Sequence, residues 1–349
     1  MPIYNEELVK QVYQPPFKAN KVRAFAFIVK GDASKIRTNV VVPTLGPGFQ
    51  TVPAGAFGID DLFVVAWLRY DGGFTSDPPQ NVLGGQHNGD YYKGKFAYSE
   101  SAVFHIVESI QTRRAYIYIP SLFLDKSVPI LTGRSVYGMP KTVGTLKIPT
   151  SQGVCSTYAE VIRKFQDPAT ASPLTQTPSP EYSLIYQAWP TFPFYWMLPK
   201  ETVPVIRGDP LATVAAAKQK FAATVRRNAD RSGIPQIADA VLELFGMFCL
   251  WGGGNLQPRT IFLKQLPSSS MSGQASFSTY VVSDFATTNI STISNFVPFP
   301  WFWRVQFMDW DGAPFARSFG VPTAPMIPLM AFSLVFDLAM PLGTELSNP

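Results

Sequence analysis

Residues 132–144 have the sequence TGRSVYGMPKTVG, and they place Lys141 behind a proline and between two glycines. Gly138 and Gly144 permit tight backbone conformations, and Pro140 disfavours a helix starting at this point. We therefore predict that Lys141 is presented by a loop, with its position fixed by the backbone on either side.

The neighbours of this lysine are apolar, namely Val136, Tyr137, Met139 and Val143. An amine held in a dry pocket loses its proton easily and can attack a ketone to form a Schiff base. Lys141 is therefore a candidate nucleophile. The alternative is a turn lysine that points into water, because most lysines are solvated.

Two segments resemble a known family. GRSVYGMPKTVG is similar to the glycine-arginine, proline-lysine signature of the acetoacetate decarboxylase family, with Gly133 and Lys141 at the family's spacing. Residues 97–101, AYSES, resemble the family segment that carries the active-site glutamate, which would be Glu100 here. Weaker similarity covers residues 21–43, 258–320 and 321–342.

The resemblance implies the fold and the assembly. It implies a mainly β, closed antiparallel barrel or cone in a single domain over residues 1–349, and a homo-oligomer, since the family forms multimers. Sequence periodicity by itself predicts only a large antiparallel β structure with helices inserted at residues 209–250. There, Asp209 followed by Pro210 is typical of a helix start.

Composition narrows the class of protein. The chain has 349 residues, 46% hydrophobic and 15% charged, which is typical of a globular protein. The net charge of +5 is scattered without a dense basic run, so we expect no nucleic-acid partner but an attraction for a small carboxylate. The start of the chain has no signal-peptide pattern and no apolar span fits a bilayer, so we expect a cytosolic protein with no membrane association.

Metal ligands are also not expected. Cys155, Cys249, His87 and His105 are the only cysteines and histidines, and their spacing matches no metal site.

Period-two alternation is clearest in residues 96–107, where Glu100 lies in the middle of an apolar stripe. A buried carboxylate is costly without a partner, so Glu100 is either a site residue or half of a structural pair with an arginine. In the strand of residues 21–30, Arg23 shares a face with Phe25 and Phe27. It is either a rim residue or an anion anchor. Further strands are predicted at residues 61–70, 114–120, 145–148, 157–165, 260–266, 276–285, 303–310 and 331–340.

The resemblance implies a chemistry that needs no cofactor. Lys141 attacks the carbonyl of a keto acid, and the resulting iminium draws electrons from the adjacent C–C bond, so that a β-keto acid releases carbon dioxide. Glu100 orients substrate or moves a proton, and Arg23 holds the carboxylate. We expect the substrate also to meet Tyr98 as a hydroxyl donor, together with Tyr137 and Met139.

Two departures leave the reaction open. Thr142 follows the lysine where the decarboxylase has a second lysine, and Ser135 stands where the family often has an acidic residue. Three hypotheses remain: a β-keto acid decarboxylase, a Schiff-base aldolase or dehydratase acting on a 2-oxo acid such as pyruvate, possible in secondary metabolism, and a non-catalytic ligand-binding relative.

Overall fold

The computed structural model describes most of the chain. The described residues are 15–52, 58–76, 95–148, 156–165, 180–191, 200–231, 233–250, 259–267, 275–296, 303–310 and 313–346.

Strands make up most of these residues. They are β1 (Phe17–Lys30), β2 (Phe49–Thr51), β3 (Leu62–Tyr70), β4 (Phe74–Ser76), β5 (Ser99–Ser109), β6 (Ala115–Leu124), β7 (Lys141–Lys147), β8 (Thr157–Phe165), β9 (Pro180–Pro190), β10 (Lys200–Val203), β11 (Arg259–Pro267), β12 (Ala275–Ser283), β13 (Ala286–Phe296), β14 (Trp303–Phe307), β15 (Asp309–Trp310), β16 (Ala313–Pro314), β17 (Met330–Met340) and β18 (Thr344–Leu346).

The helices are fewer. They are α1 (Ala33–Ile36), a π-helical turn (Arg37–Val41), α2 (Val42–Leu45), α3 (Ser127–Tyr137), α4 (Pro210–Arg231), a 3₁₀ turn (Pro235–Ile237), α5 (Ala238–Leu250) and α6 (Phe315–Phe319). Among the described residues, no helix is both long and apolar enough to span a bilayer.

One large mixed sheet organises the described part of the chain. Its main path runs β10-β13-β17-β1-β3-β5-β6-β7-β8-β9-β14. The path is open, because no pairing among the described strands joins β10 to β14. The predicted mainly β fold is confirmed by the number of strands. The predicted closed barrel is not found, because the path is open.

The prediction of a purely antiparallel sheet is also wrong. β6 pairs in parallel with β7 over Leu122–Leu124 and in parallel with β11 over Tyr116–Tyr118. Parallel neighbours need a crossover connection, and α3 supplies one between β6 and β7.

The central strands β1, β3 and β5 are buried on both faces. One face packs against the consecutive helices α4 and α5, and we call it the hairpin face. On this face the ring centre of Phe104 lies 5.0 Å from that of Phe248. The second, the far face, packs against β9 and β14, as in the contact of Phe27 with Trp303 at 5.3 Å. The sheet thus folds over one of its own faces, and the helices cover the other.

The helices predicted within residues 209–250 are present as α4 and α5. Asp209 caps α4 by accepting a hydrogen bond from the backbone N–H of Ala212 at 2.9 Å. Lys218 of α4 pairs with Glu243 of α5 at 2.5 Å. The buried side chains of α5 join the core of the hairpin face.

The segment around Lys141 differs from the predicted loop. Residues 132–137 form the end of α3, and Lys141 is the first residue of β7. Gly138 ends the helix with φ of 77°, a left-handed conformation that glycine adopts without steric cost. A Cβ atom there would also lie 2.5 Å from the Cα of Lys264.

Candidate active site

Glu100 lies in β5 on the hairpin face, and it shares that face with the residues that the alternation predicts. Tyr98, Ala102 and Phe104 belong to the core of the same face, and Glu100 itself is 3% exposed. Its Oε1 accepts a hydrogen bond of 2.5 Å from the hydroxyl of Tyr70. Its Oε2 is buried and accepts no hydrogen bond from the described residues.

Strand register brings Lys141 to this carboxylate. Glu100 is paired with Leu124 of β6, and Lys141 is paired with Leu122 on the other edge of the same strand. The two residues therefore lie on the strands that flank β6, and their side chains meet on one face of the sheet. Nζ of Lys141 lies 3.6 Å from Oε2 of Glu100. This distance is too long for a good direct hydrogen bond.

Gly133 in α3 makes room for the lysine. A Cβ atom at this position would lie 2.6 Å from both Cδ and Cε of Lys141 and 3.1 Å from Sδ of Met139. The lysine chain therefore runs across the bare backbone of the helix. A glycine is needed here because of this close approach.

Burial changes the pKa of Lys141. Burial lowers the pKa of Lys141 from its ordinary value, and the charge and hydrogen-bonding capacity of Glu100 oppose part of that change. Desolvation disfavours the ammonium form, so the amine is neutral at a lower pH than a surface lysine. A neutral amine is the nucleophilic form.

Two tyrosines form a wall beside the pair. The rings of Tyr70 and Tyr98 stack at 4.1 Å with 9° between their planes. Nζ of Lys141 lies 5.8 Å from the centre of the Tyr98 ring. Burial, and then the charge of Glu100, raise the pKa of both tyrosines well above the usual value, so both hydroxyls stay protonated.

Arg23 is not brought to the pair. It shares the far face with Phe25 and Phe27, whereas Lys141 and Glu100 lie on the hairpin face. Its guanidinium is about half exposed and pairs with Asp71 at 3.1 Å, on the rim of the sheet. Of the two interpretations of Arg23, the structure matches the rim residue and not the anion anchor.

Of the two other predicted substrate contacts, Met139 lies beside Lys141, whereas the Tyr137 hydroxyl is bonded elsewhere. Met139 is buried and its sulfur lies beside the Lys141 chain at Gly133. Tyr137 is also buried, but its hydroxyl donates to the carbonyl oxygens of Met340 and Pro341 at 3.1 and 2.8 Å. That hydroxyl is used to tie α3 to the end of β17.

Tyr70 is the site residue that sequence reasoning missed. It ends β3, a continuous apolar run, and its hydroxyl reaches Glu100 only because β3 pairs with β5. The sequence predicted a strand at residues 61–70, but the partner of Tyr70 depends on strand register, which one sequence does not reveal.

A surface cavity of about 270 Å³ lies behind the lysine segment. It opens where β6 changes partner from β11 to β7, and its walls include Tyr118, Pro120, Arg134, Met139 and Pro140. Within the described ranges, no group of three His, Cys, Asp or Glu side chains is placed to hold a metal ion.

Comparison with known protein families matches one part of the chain. The family model described as acetoacetate decarboxylase (ADC) matches residues 78–167, a segment that contains both Glu100 and Lys141. None of the curated proteins matches the chain by sequence.

Solved structures match over nearly the whole chain. Acetoacetate decarboxylase from Legionella pneumophila subsp. pneumophila str. Philadelphia 1 is similar with a TM-score of 0.54 and 11% identity, over 100% of this chain and 93% of that chain. The enduracididine biosynthesis enzyme MppR complexed with pyruvate has a TM-score of 0.53 and 13% identity, over 98% and 94%. An acetoacetate decarboxylase-like enzyme from Sphingomonas wittichii RW1 has a TM-score of 0.52 and 12% identity, over 96% and 95%.

The fold is therefore of the acetoacetate decarboxylase-like class, with a buried lysine and glutamate side by side on one face of its sheet. The resemblance to the acetoacetate decarboxylase family that the sequence predicts is confirmed.

Proposed function

We propose that this protein is an enzyme that forms a Schiff base between Lys141 and a small keto acid. One observation carries the proposal: the Lys141 amine is buried, its pKa is lowered by that burial, and it lies 3.6 Å from a buried carboxylate oxygen. Perturbed titratable groups that share one buried location are typical of functional sites.

The first steps follow from the two side chains. The neutral amine attacks the carbonyl carbon, and the carbonyl oxygen takes one proton from solvent to become a hydroxyl. Oε2 of Glu100 takes a second proton from the nitrogen and returns it to this hydroxyl, which leaves as water. The product is a protonated iminium on Lys141, Glu100 is again a carboxylate, and one solvent proton has been consumed.

Decarboxylation of a β-keto acid is the reaction we favour. Electrons of the bond to the carboxylate flow into the iminium, which releases carbon dioxide and leaves an enamine. Protonation of the enamine carbon and hydrolysis then release the ketone and restore the amine. These steps need no metal or organic cofactor.

A second candidate is aldol or dehydration chemistry on a 2-oxo acid. The structure of MppR with bound pyruvate supports it, since that protein shares the fold. The absence of a second lysine after Lys141 would favour this candidate if such a lysine lay beside the amine. Thr142 is exposed whereas Lys141 is buried, so a cation at residue 142 would point to the other side of β7.

Borohydride trapping tests the proposal. The protein is incubated with acetoacetate or pyruvate, reduced, digested and examined by mass spectrometry. We expect a reduced adduct on the peptide that contains Lys141, and its loss in Lys141→Ala. Absence of an adduct with every keto acid tried would leave the non-catalytic ligand-binding relative as the better interpretation.

Product analysis then separates the two reactions. Release of carbon dioxide from acetoacetate that depends on Lys141 supports the decarboxylase. A pyruvate adduct without carbon dioxide release from acetoacetate supports the aldolase or dehydratase.

A further inference from the structure

Tyr70 makes the only hydrogen bond that Glu100 receives from side chains of the described residues. The bond goes to Oε1 and is short, at 2.5 Å, as bonds from a hydroxyl to a carboxylate are. Oε2 is left to face Lys141. The two oxygens of one carboxylate thus have different surroundings.

We infer that Tyr70 is a positioning residue, which holds Oε1 so that Oε2 alone exchanges protons with the Lys141 adduct. This inference rests on the proposed function, because it assigns the proton transfers of iminium formation to one atom. Tyr70 itself touches neither the lysine nitrogen nor the reacting carbon in this assignment; it acts through Glu100.

Three features support this role. The stack on Tyr98 fixes the ring plane of Tyr70 with its hydroxyl at Oε1 of Glu100. The hydroxyl stays protonated because burial and the charge of Glu100 raise its pKa, so it remains able to donate. Oε2 accepts no hydrogen bond from the described residues, so among them nothing competes with Lys141 for that atom.

The test compares two buried tyrosines. Tyr70→Phe removes the hydroxyl and keeps the stacked ring. The matched control is Tyr186→Phe, because Tyr186 is also fully buried and its hydroxyl pairs with Ser101, the residue next to Glu100, at 2.8 Å. Ser101 belongs to the other side of β5, so the control loses a buried hydrogen bond without touching the pair.

The readout is the rate of iminium formation, measured by timed borohydride quenching with acetoacetate or pyruvate. We expect Tyr70→Phe to slow this step by roughly ten- to a hundred-fold, the size expected for loss of a hydrogen bond to a charged group. Tyr186→Phe should keep the rate of the wild type.

A double-mutant cycle makes the assignment specific. In a Glu100→Gln background, Tyr70→Phe should slow the step no further, since both substitutions remove the same proton transfer. If Tyr70→Phe is as harmful in that background as in the wild type, or if the Tyr186 control slows the step equally, the inference is wrong.

Failure of the proposed function is distinguishable from failure of this inference. If the wild type traps no keto acid, infrared spectra at fixed pH still follow the carboxylate stretch of Glu100, assigned by its loss in Glu100→Gln. Tyr70→Phe should shift that band because Oε1 loses its hydrogen bond, and Tyr186→Phe should not. An unchanged band in Tyr70→Phe would overturn the positioning role, whatever the protein catalyses.

Discussion

Two groups of charges in this protein have opposite surroundings. Lys141 and Glu100 are buried on the hairpin face, with side chains 8% and 4% exposed and 3.6 Å between nitrogen and oxygen. Arg23 and Arg69 share Asp71 at the rim, with nitrogen-to-oxygen distances of 3.1 and 2.5 Å. The arginines there are 47% and 43% exposed.

The shorter nitrogen-to-oxygen distances thus belong to the rim group, to which we assign no chemistry. Water screens the rim charges, and exposed ion pairs contribute only about 0–1 kcal/mol to stability. The buried pair pays a desolvation cost instead, and that cost is what lowers the pKa of the amine. Burial, and not a short contact, is therefore what distinguishes the pair to which we assign the chemistry.

The largest effect we predict comes from Lys141→Arg. Arginine keeps the positive charge beside Glu100 but cannot lose its proton, so it cannot attack a carbonyl. We expect adduct formation and turnover to fall by more than about 10³-fold, the scale seen when a covalent nucleophile is removed. Borohydride trapping measures this, and circular dichroism checks the fold. Turnover that survives in Lys141→Arg would mean that the charge alone is sufficient.

The next effect is that of Gly133→Ala. The new methyl group would meet the flexible end of Lys141 at 2.6 Å, so the lysine must move while the helix backbone stays. Displacement of a reacting group by about 1 Å can cost on the order of 10²-fold in rate. Stability should change by less than about 1 kcal/mol, because alanine is a better helix former than glycine.

Gly246→Ala in α5 is the matched control. Its Cβ would lie 3.2 Å from Cδ of Lys218, another lysine chain, far along the sequence from the pair. The control should keep the trapping rate of the wild type. Equal losses in both variants would show that helix substitutions, and not the position of Lys141, explain the effect.

A third prediction concerns pH and the free energy of unfolding. Burial lowers the folded pKa of Lys141 below its unfolded value of about 10.4, so between the two the unfolded state binds more protons. The free energy of unfolding therefore rises with pH across this window. Lys141→Met should lack this rise, which urea denaturation in a series of alkaline buffers would measure. Parallel curves for wild type and variant would contradict a lowered pKa.

The smallest effect is expected for Asp71→Asn at the rim. Removing one exposed charge should change the free energy of unfolding by less than about 1 kcal/mol, and the change should shrink in high salt. Trapping of keto acids should be unaffected. A large loss of activity here would show that the rim group communicates with the buried pair.

The sequence predicted the faces of strands better than it predicted their partners. Alternation put Glu100 on the face of Tyr98 and Ala102, and it put Arg23 on the face of Phe25, and the core clusters agree. It did not reveal which face carries the pair, because β1 is buried on both sides. For this reason the sequence could not predict that Arg23 lies at the rim and away from the pair.

Non-local features escaped prediction for a related reason. The parallel pairing of β6 with β7 depends on α3, whose residues 132–137 were expected to form a loop because of the nearby glycines and proline. β13 was missed because its sequence, ATTNISTISNF, has few apolar residues and its ladder shifts register twice. In both cases tertiary contacts outweighed local propensity.

Strand β7 pairs with two different strands along its length. Lys141 and the two residues after it pair with β6, and from Gly144 onward the strand pairs with β8. The proposed nucleophile therefore lies where the pairing of β7 changes from β6 to β8. If β8 separates from β7, the backbone next to Lys141 loses its pairing on one side. We therefore expect a rise in hydrogen exchange at the amides of β7 to accompany loss of adduct formation more closely than a rise in β1 or β3.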